Sequence, residues 1–273
     1  MPDLPQTSHI RLDLRGPVLH LWLNRPEVRN ALSQQMVTEI LATFAAIADD
    51  KAVRVVVLRG SGGTFCAGAD IKNLSTARAA PPPGVTDEVK ENNRHFSTMM
   101  ETVNAAPQAV IAAVEGFAMG GGFGLACVAD ITIATADAVF AMSEVKIGVV
   151  PAAISPFVVK RIGLTAARRF GVSGARFSGT EARAIGVAHL AVADAVALDA
   201  AVRDAGNQVL ACAPGAVAAT KRLMLRAAGP TPMAELLDDA AEYFAAAVRS
   251  AEGREGTQAF VEKRKPSWFV QVE

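Results

Sequence analysis

The chain has 273 residues, 51% of them hydrophobic, with Lys plus Arg and Asp plus Glu each totalling 27. That is material for one large domain, or for one domain with a small helical appendage, and a net charge of zero offers no general field for nucleic acid or an anionic membrane surface. No uninterrupted apolar segment reaches the ~20 residues a bilayer requires, and the opening Met1-Pro2-Asp3-Leu4-Pro5 lacks a basic stretch followed by an apolar one, so the expectation is a soluble, cytoplasmic protein.

In chain order, Val18 to Leu23 alternates as a half-buried strand does and is ended by Asn24-Arg25-Pro26. Ser33 is placed to cap a helix in which Met36, Val37, Ile40, Leu41, Phe44 and Ile47 form one apolar stripe. Val53 to Leu58, β-branched and apolar apart from Arg54, reads as a parallel strand covered on both faces, left through Gly60-Ser61-Gly62-Gly63. Thr76 to Asp87, rich in Pro and Ala without periodicity, reads as an exposed loop of the kind that borders sites. A helix over about Asp87 to Asn104 follows, then a buried strand Ala109 to Val114 and a helix continuing through Gly124 to Ala129. Ile131 to Ala134 and Val139 to Ala141 read as short strands bracketing a turn at Ala136-Asp137. Beyond Thr180 the strand signal fades, apart from Ala188 to Val192, and helical stretches follow over Leu198 to Ala211, Gly215 to Ala227 and Met233 to Val248. The repetition of strand, turn and helix is an α/β pattern, with ligands expected at the carboxyl ends of the strands.

Two glycine-containing turns stand out: Phe65-Cys66-Ala67-Gly68-Ala69-Asp70-Ile71-Lys72 and Gly116-Phe117-Ala118-Met119-Gly120-Gly121-Gly122. Each alone fits a strand packing close to a helix. Together they can aim two backbone N–H groups at one oxygen, and a helix starting at Gly121 adds orphan donors and the positive end of its dipole. A phosphate-loop pattern and an intact Gly-x-Gly-x-x-Gly fingerprint are both missing, which argues against a turn that cradles nucleotide phosphates. Glu144 is a carboxylate in an otherwise apolar stretch. Buried there it would exchange protons near neutrality; the plainer reading is a solvated carboxylate paired with Lys146. Lys72, Arg25 and the run Lys263-Arg264-Lys265 are candidates to anchor a phosphate-bearing handle, against ordinary solvated surface. Cys66, Cys127 and Cys212 lack metal-ligand or paired spacing, so neither a disulfide framework nor a zinc site is expected, and Cys66 reads as a structural thiol.

These motifs together resemble the crotonase, or enoyl-CoA hydratase/isomerase, superfamily. The resemblance rests on Leu23-Asn24-Arg25-Pro26-Glu27, Arg29-Asn30-Ala31-Leu32, Ala67-Gly68-Ala69-Asp70-Ile71-Lys72, the triple glycine, Ser143-Glu144-Val145 and Phe260-Val261-Glu262-Lys263-Arg264-Lys265-Pro266, and so spans nearly the whole chain. It implies a spiral of ββα units over 1–195 carrying an acyl-CoA site, and a helical region over 196–273 that covers the site and assembles trimers or hexamers.

The resemblance also implies residue roles. Ala69 and Gly121 N–H would hold the thioester oxygen, with Gly120 beside them. Ala67, Asp70, Ile71 and Lys72 would line the CoA and thioester site, Arg25 and Val28 would lie along CoA, and Phe260 and Lys263 would reach it from this chain or a neighbouring subunit. Glu144 would move the proton at C2. No cofactor beyond substrate CoA and no metal are implied. One departure matters: many straight-chain hydratases carry a second glutamate where this chain has Gly124. The patterns around Gly120, Ser143 and Pro151 to Val159 resemble branched methylglutaconyl- and isohexenylglutaconyl-CoA hydratases, which also have glycine there. The expectation is hydration of a branched enoyl-CoA, with Gly124 as room for a substrate branch and Arg78 or Arg94 as partners for a second carboxylate. The alternatives are an isomerase moving a C3 double bond to C2, for which one glutamate suffices, a non-catalytic acyl-CoA-binding relative, and thioester hydrolysis or decarboxylation.

Overall fold

The computed structural model describes residues 2–70, 81–82 and 84–272. β1 (Ile10–Arg15) pairs antiparallel with β2 (Val18–Leu23), and the parallel strands β3 (Val55–Gly60), β4 (Ala109–Val114), β6 (Ile131–Thr135) and β9 (Leu190–Val192) complete a six-stranded sheet in the order β1-β2-β3-β4-β6-β9. β5 (Phe117–Met119), β7 (Val139–Ala141) and β8 (Phe177–Ser178) form a second, smaller sheet in the order β5-β7-β8. Successive turns of the chain place one strand in each sheet and then a helix. β4 and β5 lead into α3 (Gly121–Val128), and β6 and β7 lead through a short helical turn, Glu144–Ile147, to α4 (Ser155–Ser173). This is the spiral of ββα units the motifs imply.

The local reasons are visible in the side chains. β2 alternates, so Leu19, Leu21 and Leu23 are buried together, whereas β4 is buried along its whole length because both its faces are covered. The Ser33 side chain accepts a hydrogen bond from Met36 N and starts α1 (Gln34–Ile47), whose Met36, Val37, Ile40, Phe44 and Ile47 enter the core. α3 is apolar on every side and buried throughout, as a central helix must be. Phe123 of α3 meets Phe140 and Phe177 edge to face, with ring centroids 6.0 and 5.6 Å apart, which fixes the helix against the smaller sheet.

Several elements differ from the sequence expectation. β6 and β7 do not pair with each other; they belong to different sheets, because the turn between them carries the chain from one layer to the other. The second turn contains a strand, β5, too short for a periodicity signal, and α4, α5 (Gly179–Ala184) and α9 (Ala251–Val261) are further helices. The boundary at 195 is also moved. α6 (Ala195–Leu210) lays Leu198, Val202, Ala205 and Leu210 on Val55, Val57, Ile111, Ala113 and Ile133 of the sheet, so it belongs to the core rather than to a helical appendage. α7 (Pro214–Ala227) and α8 (Met233–Arg249) bury no side chain fully, and they form the appendage with α9. Among the described residues no helix is long and apolar enough to cross a membrane.

β1 was not expected either, and its anchor explains why. Glu39, on α1 and only 4% exposed, accepts hydrogen bonds from the backbone N–H groups of Ser8, His9 and Ile10 and from the Ser8 hydroxyl at 2.8–3.0 Å, a tie some thirty residues long in sequence. Burial pushes the Glu39 carboxyl up, but hydrogen bonds from Gln35, Ser8 and His9 outweigh it and hold the group below the ordinary carboxylate range. Glu39→Ala is therefore expected to cost about 2–4 kcal/mol in urea unfolding at neutral pH and to speed amide exchange in β1. A carboxyl depressed in the folded state stabilises above its unfolded value and ceases to as pH falls through the folded one, so the difference from wild type shrinks in acid. Unchanged exchange in β1 would show that pairing to β2 alone holds it.

Candidate active site

The two glycine-containing turns lie side by side. Cys66 N–H donates to Phe117 O at 2.7 Å and Met119 N–H donates to Cys66 O at 2.9 Å, forming a parallel bridge between Cys66 and Ala118. Beyond that bridge the two turns stay in contact at their glycines, where a Cβ on Gly120 would lie 3.7 Å from Gly68 Cα, and Ala69 and Gly121 are the residues that follow those glycines. A second parallel bridge joins Ala69 to Leu32, made by Leu32 N–H to Gly68 O at 2.8 Å and Asp70 N–H to Leu32 O at 3.0 Å. Because the flanking residues supply those bonds, the N–H of Ala69 itself points away from Leu32, and Ala69 is exposed. Gly121 is the first residue of α3, so its N–H belongs to the orphan donors of a helix start. Neither amide has an acceptor among the described residues. Two donors held in advance at neighbouring positions, one with a helix dipole behind it, suit an oxygen that gains negative charge.

Gly120 makes this approach possible. Its φ of +48° is one that side chains resist, and a Cβ there would lie 2.7 Å from Glu144 Oε1. Its own N–H is spent on Ala141 O at 2.8 Å, which ties the second turn to the end of β7 and so to the start of the Glu144 segment. The Glu144 carboxylate thus rests directly on the glycine preceding the Gly121 donor. Oε2 is buried without a hydrogen-bond partner among the described residues, and no ion pair to Lys146 forms. The Lys146 stem runs instead past Gly174 at the end of α4. Burial pushes the Glu144 carboxyl above its usual value, opposed only by a hydrogen bond from its own backbone. This is the environment of a proton-exchanging group rather than of a solvated ion pair.

The structure distributes the remaining candidates unevenly. Arg25 turns inward: its Nη1 donates to Ala31 O at 2.8 Å and to Asp70 Oδ2 at 3.1 Å, so it braces the first turn. Val28 lies in the helical turn Pro26–Val28, and Ala67 N–H donates to Arg29 O at 2.9 Å, which places Arg25, Val28, Ala67, Ala69 and Asp70 on one connected surface. Ile71, Lys72 and Arg78 lie outside the described residues. Phe260 and Lys263 are not brought to the two amides within one chain; α9 packs on α8, and Phe260 is 84% exposed. Arg94 is exposed and pairs with Glu101 on its own helix, and Arg264 pairs with Glu255 and Glu262. Cys66 and Cys127 are buried, their thiols pushed up to about 12 by burial, so both are inert near neutrality.

Gly124 requires a correction. A Cβ at this position would overlap the Ile154 Cγ2 methyl and come within 3.0 Å of Met100 Cε, so the place is packed with apolar side chains and is not room for a substrate branch. Three further residues of the site were not assigned a role from sequence. Asn30, fully buried, accepts from Arg25 N–H and donates to Ser61 O and Thr64 O at 2.8 and 2.7 Å, joining the loop after β2 to the turn after β3. Phe96 and Leu32 wall the Gly121 side of the pair of amides. Asn30 and Arg29 both adopt left-handed backbone, a conformation that asparagine tolerates better than most residues.

A carboxyl whose folded value is raised is stabilising while protonated and loses that contribution as pH rises through the folded value. Glu144→Gln, which cannot ionise, is therefore expected to melt like wild type near pH 4 and above it at pH 8. Equal melting temperatures at pH 8 would place the wild-type carboxylate in solvent.

Comparison with known proteins agrees with this fold. The family model for enoyl-CoA hydratase/isomerase matches residues 14–271. The human enoyl-CoA hydratase domain-containing protein 2, mitochondrial, is 34% identical over 263 residues, covering 93% of this chain and 87% of its own. Carnitinyl-CoA dehydratase of Proteus mirabilis is 32% identical over 268 residues, covering 96% and 98%. Among solved structures, Pseudomonas aeruginosa AtuE is 50% identical with a TM-score of 0.92, covering 96% of this chain and 100% of that one. An enoyl-CoA hydratase/isomerase from Marinobacter aquaeolei is 48% identical with a TM-score of 0.91, covering 96% and 99%. With a family match along nearly the whole chain, and with two unpaired amides after the touching glycines and a half-buried carboxylate against them, the protein belongs to the enoyl-CoA hydratase/isomerase family of the crotonase superfamily.

Proposed function

We propose that the protein hydrates an α,β-unsaturated acyl-CoA, with a branched, 3-substituted glutaconyl-CoA as the preferred substrate. The observation that carries this reading is the half-buried Glu144 carboxylate, its Oε2 unpartnered, resting on Gly120 beside the unpaired N–H groups of Ala69 and Gly121. The thioester oxygen would accept from both amides, which polarises the conjugated double bond and stabilises the enolate as water adds at C3. Glu144 takes the proton of the attacking water and returns one to C2, so a single carboxylate closes the cycle. A carboxyl raised by burial suits both halves of that exchange. Coenzyme A enters as part of the substrate, and the proposed chemistry draws on backbone dipoles rather than on a resident cofactor or metal. The glutaconyl preference rests on the sequence patterns around Gly120, Ser143 and Pro151; the Proteus mirabilis relative, by its name, handles water and a CoA thioester in the reverse sense.

A second reading has its own support. Asp70 is engaged by Arg25, and Ile154 fills the place of a side chain at Gly124, which leaves Glu144 as the carboxylate against the amide pair. One base suffices to take a proton from C2 of a 3-enoyl thioester and return it at C4. Incubation with crotonyl-CoA, 3-methylglutaconyl-CoA and a 3-enoyl-CoA, with products identified by mass, separates the two. Gain of one water by the 2-enoyl substrates is expected, larger with the branched one, and Glu144→Gln should lower kcat by about 10²- to 10⁴-fold. Isomerisation without water gain would favour the second reading, and turnover indifferent to Glu144 would exclude both.

We also propose that the chain works as a homo-oligomer. Met233, Leu237, Phe244 and Val248 share one exposed face of α8, an apolar stripe that a lone chain would leave in water. Light scattering at micromolar concentration should return a trimer or hexamer of the 28.4 kDa chain. A monomer, with Phe244→Glu changing nothing, would refute it.

A further inference from the structure

Gly124 N–H donates to Gly120 O at 3.0 Å, so the two glycines lie one helical turn apart at the start of α3. The Glu144 carboxylate rests on Gly120, and Ile154, with Met100 behind it, rests on Gly124. Glu144 and Ile154 are also the two ends of one short segment, leading from the close of β7 to the start of α4, with Val149 N–H donating to Glu144 O at 3.1 Å within it. The segment therefore grips α3 at two successive points, one polar and one apolar. Between the grips Val145 to Val150 are exposed, with Val145 and Lys146 leaning on Gly174 and not on α3, so the segment's hold on α3 comes from its two ends.

We infer that Ile154 is a positioning residue for Glu144: by filling the bare flank of Gly124 it seats the Glu144 segment on α3 and keeps water from the buried face of the carboxylate. Ile154 is 2% exposed and Met100 fully buried, so the flank is closed to solvent. Closure explains why Glu144 Oε2 is buried without a partner although Val145 to Val150, which follow it, are exposed. The charged and titratable groups on the surrounding elements are turned elsewhere. Arg161 of α4 donates to Val187 O and Ala129 O, and Lys160 is exposed. His95 of α2 (Glu88–Ala105) meets Thr38, and Arg94 meets Glu101. Lys146 lies along Gly174, Asp70 is held by Arg25, and the Cys66 thiol is neutral beneath Gly122. Apolar closure, rather than a neighbouring charge, is then what Ile154 contributes.

This inference rests on Glu144 as the proton-moving group, and its test reads the carboxyl directly. In protein labelled with ¹³C at glutamate Cδ, the Glu144 resonance is assigned by its absence in Glu144→Gln and titrated without substrate. The midpoint is expected to fall in the order Ile154, Ile154→Val, Ile154→Ala, approaching the ordinary 4.5 in the last. In parallel kcat should fall about 10- to 100-fold in Ile154→Ala with KM nearly unchanged, as misplacement of a reacting group does, and Ile154→Val should recover most of it. If Ile154→Ala does not fold, the difference between wild type and Ile154→Val decides. A midpoint that ignores the side chain at 154 while the melting temperature drops would reduce Ile154 to a packing residue and overturn the proposal. Absence of turnover in wild type would remove the hydratase reading and leave the titration to judge this one.

Discussion

The arrangement depends on a backbone-to-backbone contact between two turns. Cys66 exchanges hydrogen bonds with Phe117 and Met119, on either side of Ala118, as though the turns were neighbouring strands, and this brings Gly68 and Gly120, the residues before Ala69 and Gly121, into contact. Backbones come this close only where side chains are small or missing, which is why the meeting point is built from Ala67, Gly68, Ala69, Gly120 and Gly121. Each turn leaves the carboxyl end of a parallel strand, β3 or β4, where an α/β sheet opens and its ends are free to hold a ligand. The larger sheet supplies rigidity and the smaller sheet supplies the register.

The rest of the core holds that contact still. α3 must enter at one angle if the Gly121 N–H is to face the Ala69 N–H, and the helix is gripped all round, by the Phe123, Phe140 and Phe177 rings on one side and by Met100 and Ile154 on another. The first turn is braced by polar groups instead. Asn30 satisfies two carbonyls and an amide across the loop, and Arg25 ties Ala31 to Asp70. Donors fixed in this way need no rearrangement when charge develops on the bound oxygen, which is the source of their catalytic value.

Charge is handled sparingly. The carboxylate resting on the second turn is Glu144, and its surroundings are apolar on the side that faces the protein. A second carboxylate one turn along α3 would have to displace Ile154, so the glycine at 124 and the isoleucine at 154 are a matched pair rather than an empty position waiting for substrate. Activity and fold meet in this pairing: the residue that closes the core beside α3 also fixes the environment of the acid.

Elements whose cause is local could be read from the sequence. Ser33 and the stripe after it define α1, the continuous apolar run of β4 marks a buried strand, and the two glycine turns and Glu144 in its apolar stretch are candidates by sequence alone. Features whose cause is distant could not be read. β1 is held by Glu39 thirty residues away, the two-residue β8 exists because Phe177 stacks on Phe140, and α6 counts as core only because the sheet beneath it is already assembled. That Arg25, a candidate anchor for a phosphate-bearing handle by sequence, also braces Ala31 and Asp70, and that Ile154 occupies the flank of Gly124, are set by contacts far apart in the chain. Sequence by itself determined which groups can donate, accept or titrate, because that chemistry belongs to single residues; only the tertiary structure decided which of them face one another and which are shut away from water, because distance and burial are set by contacts far apart in the chain.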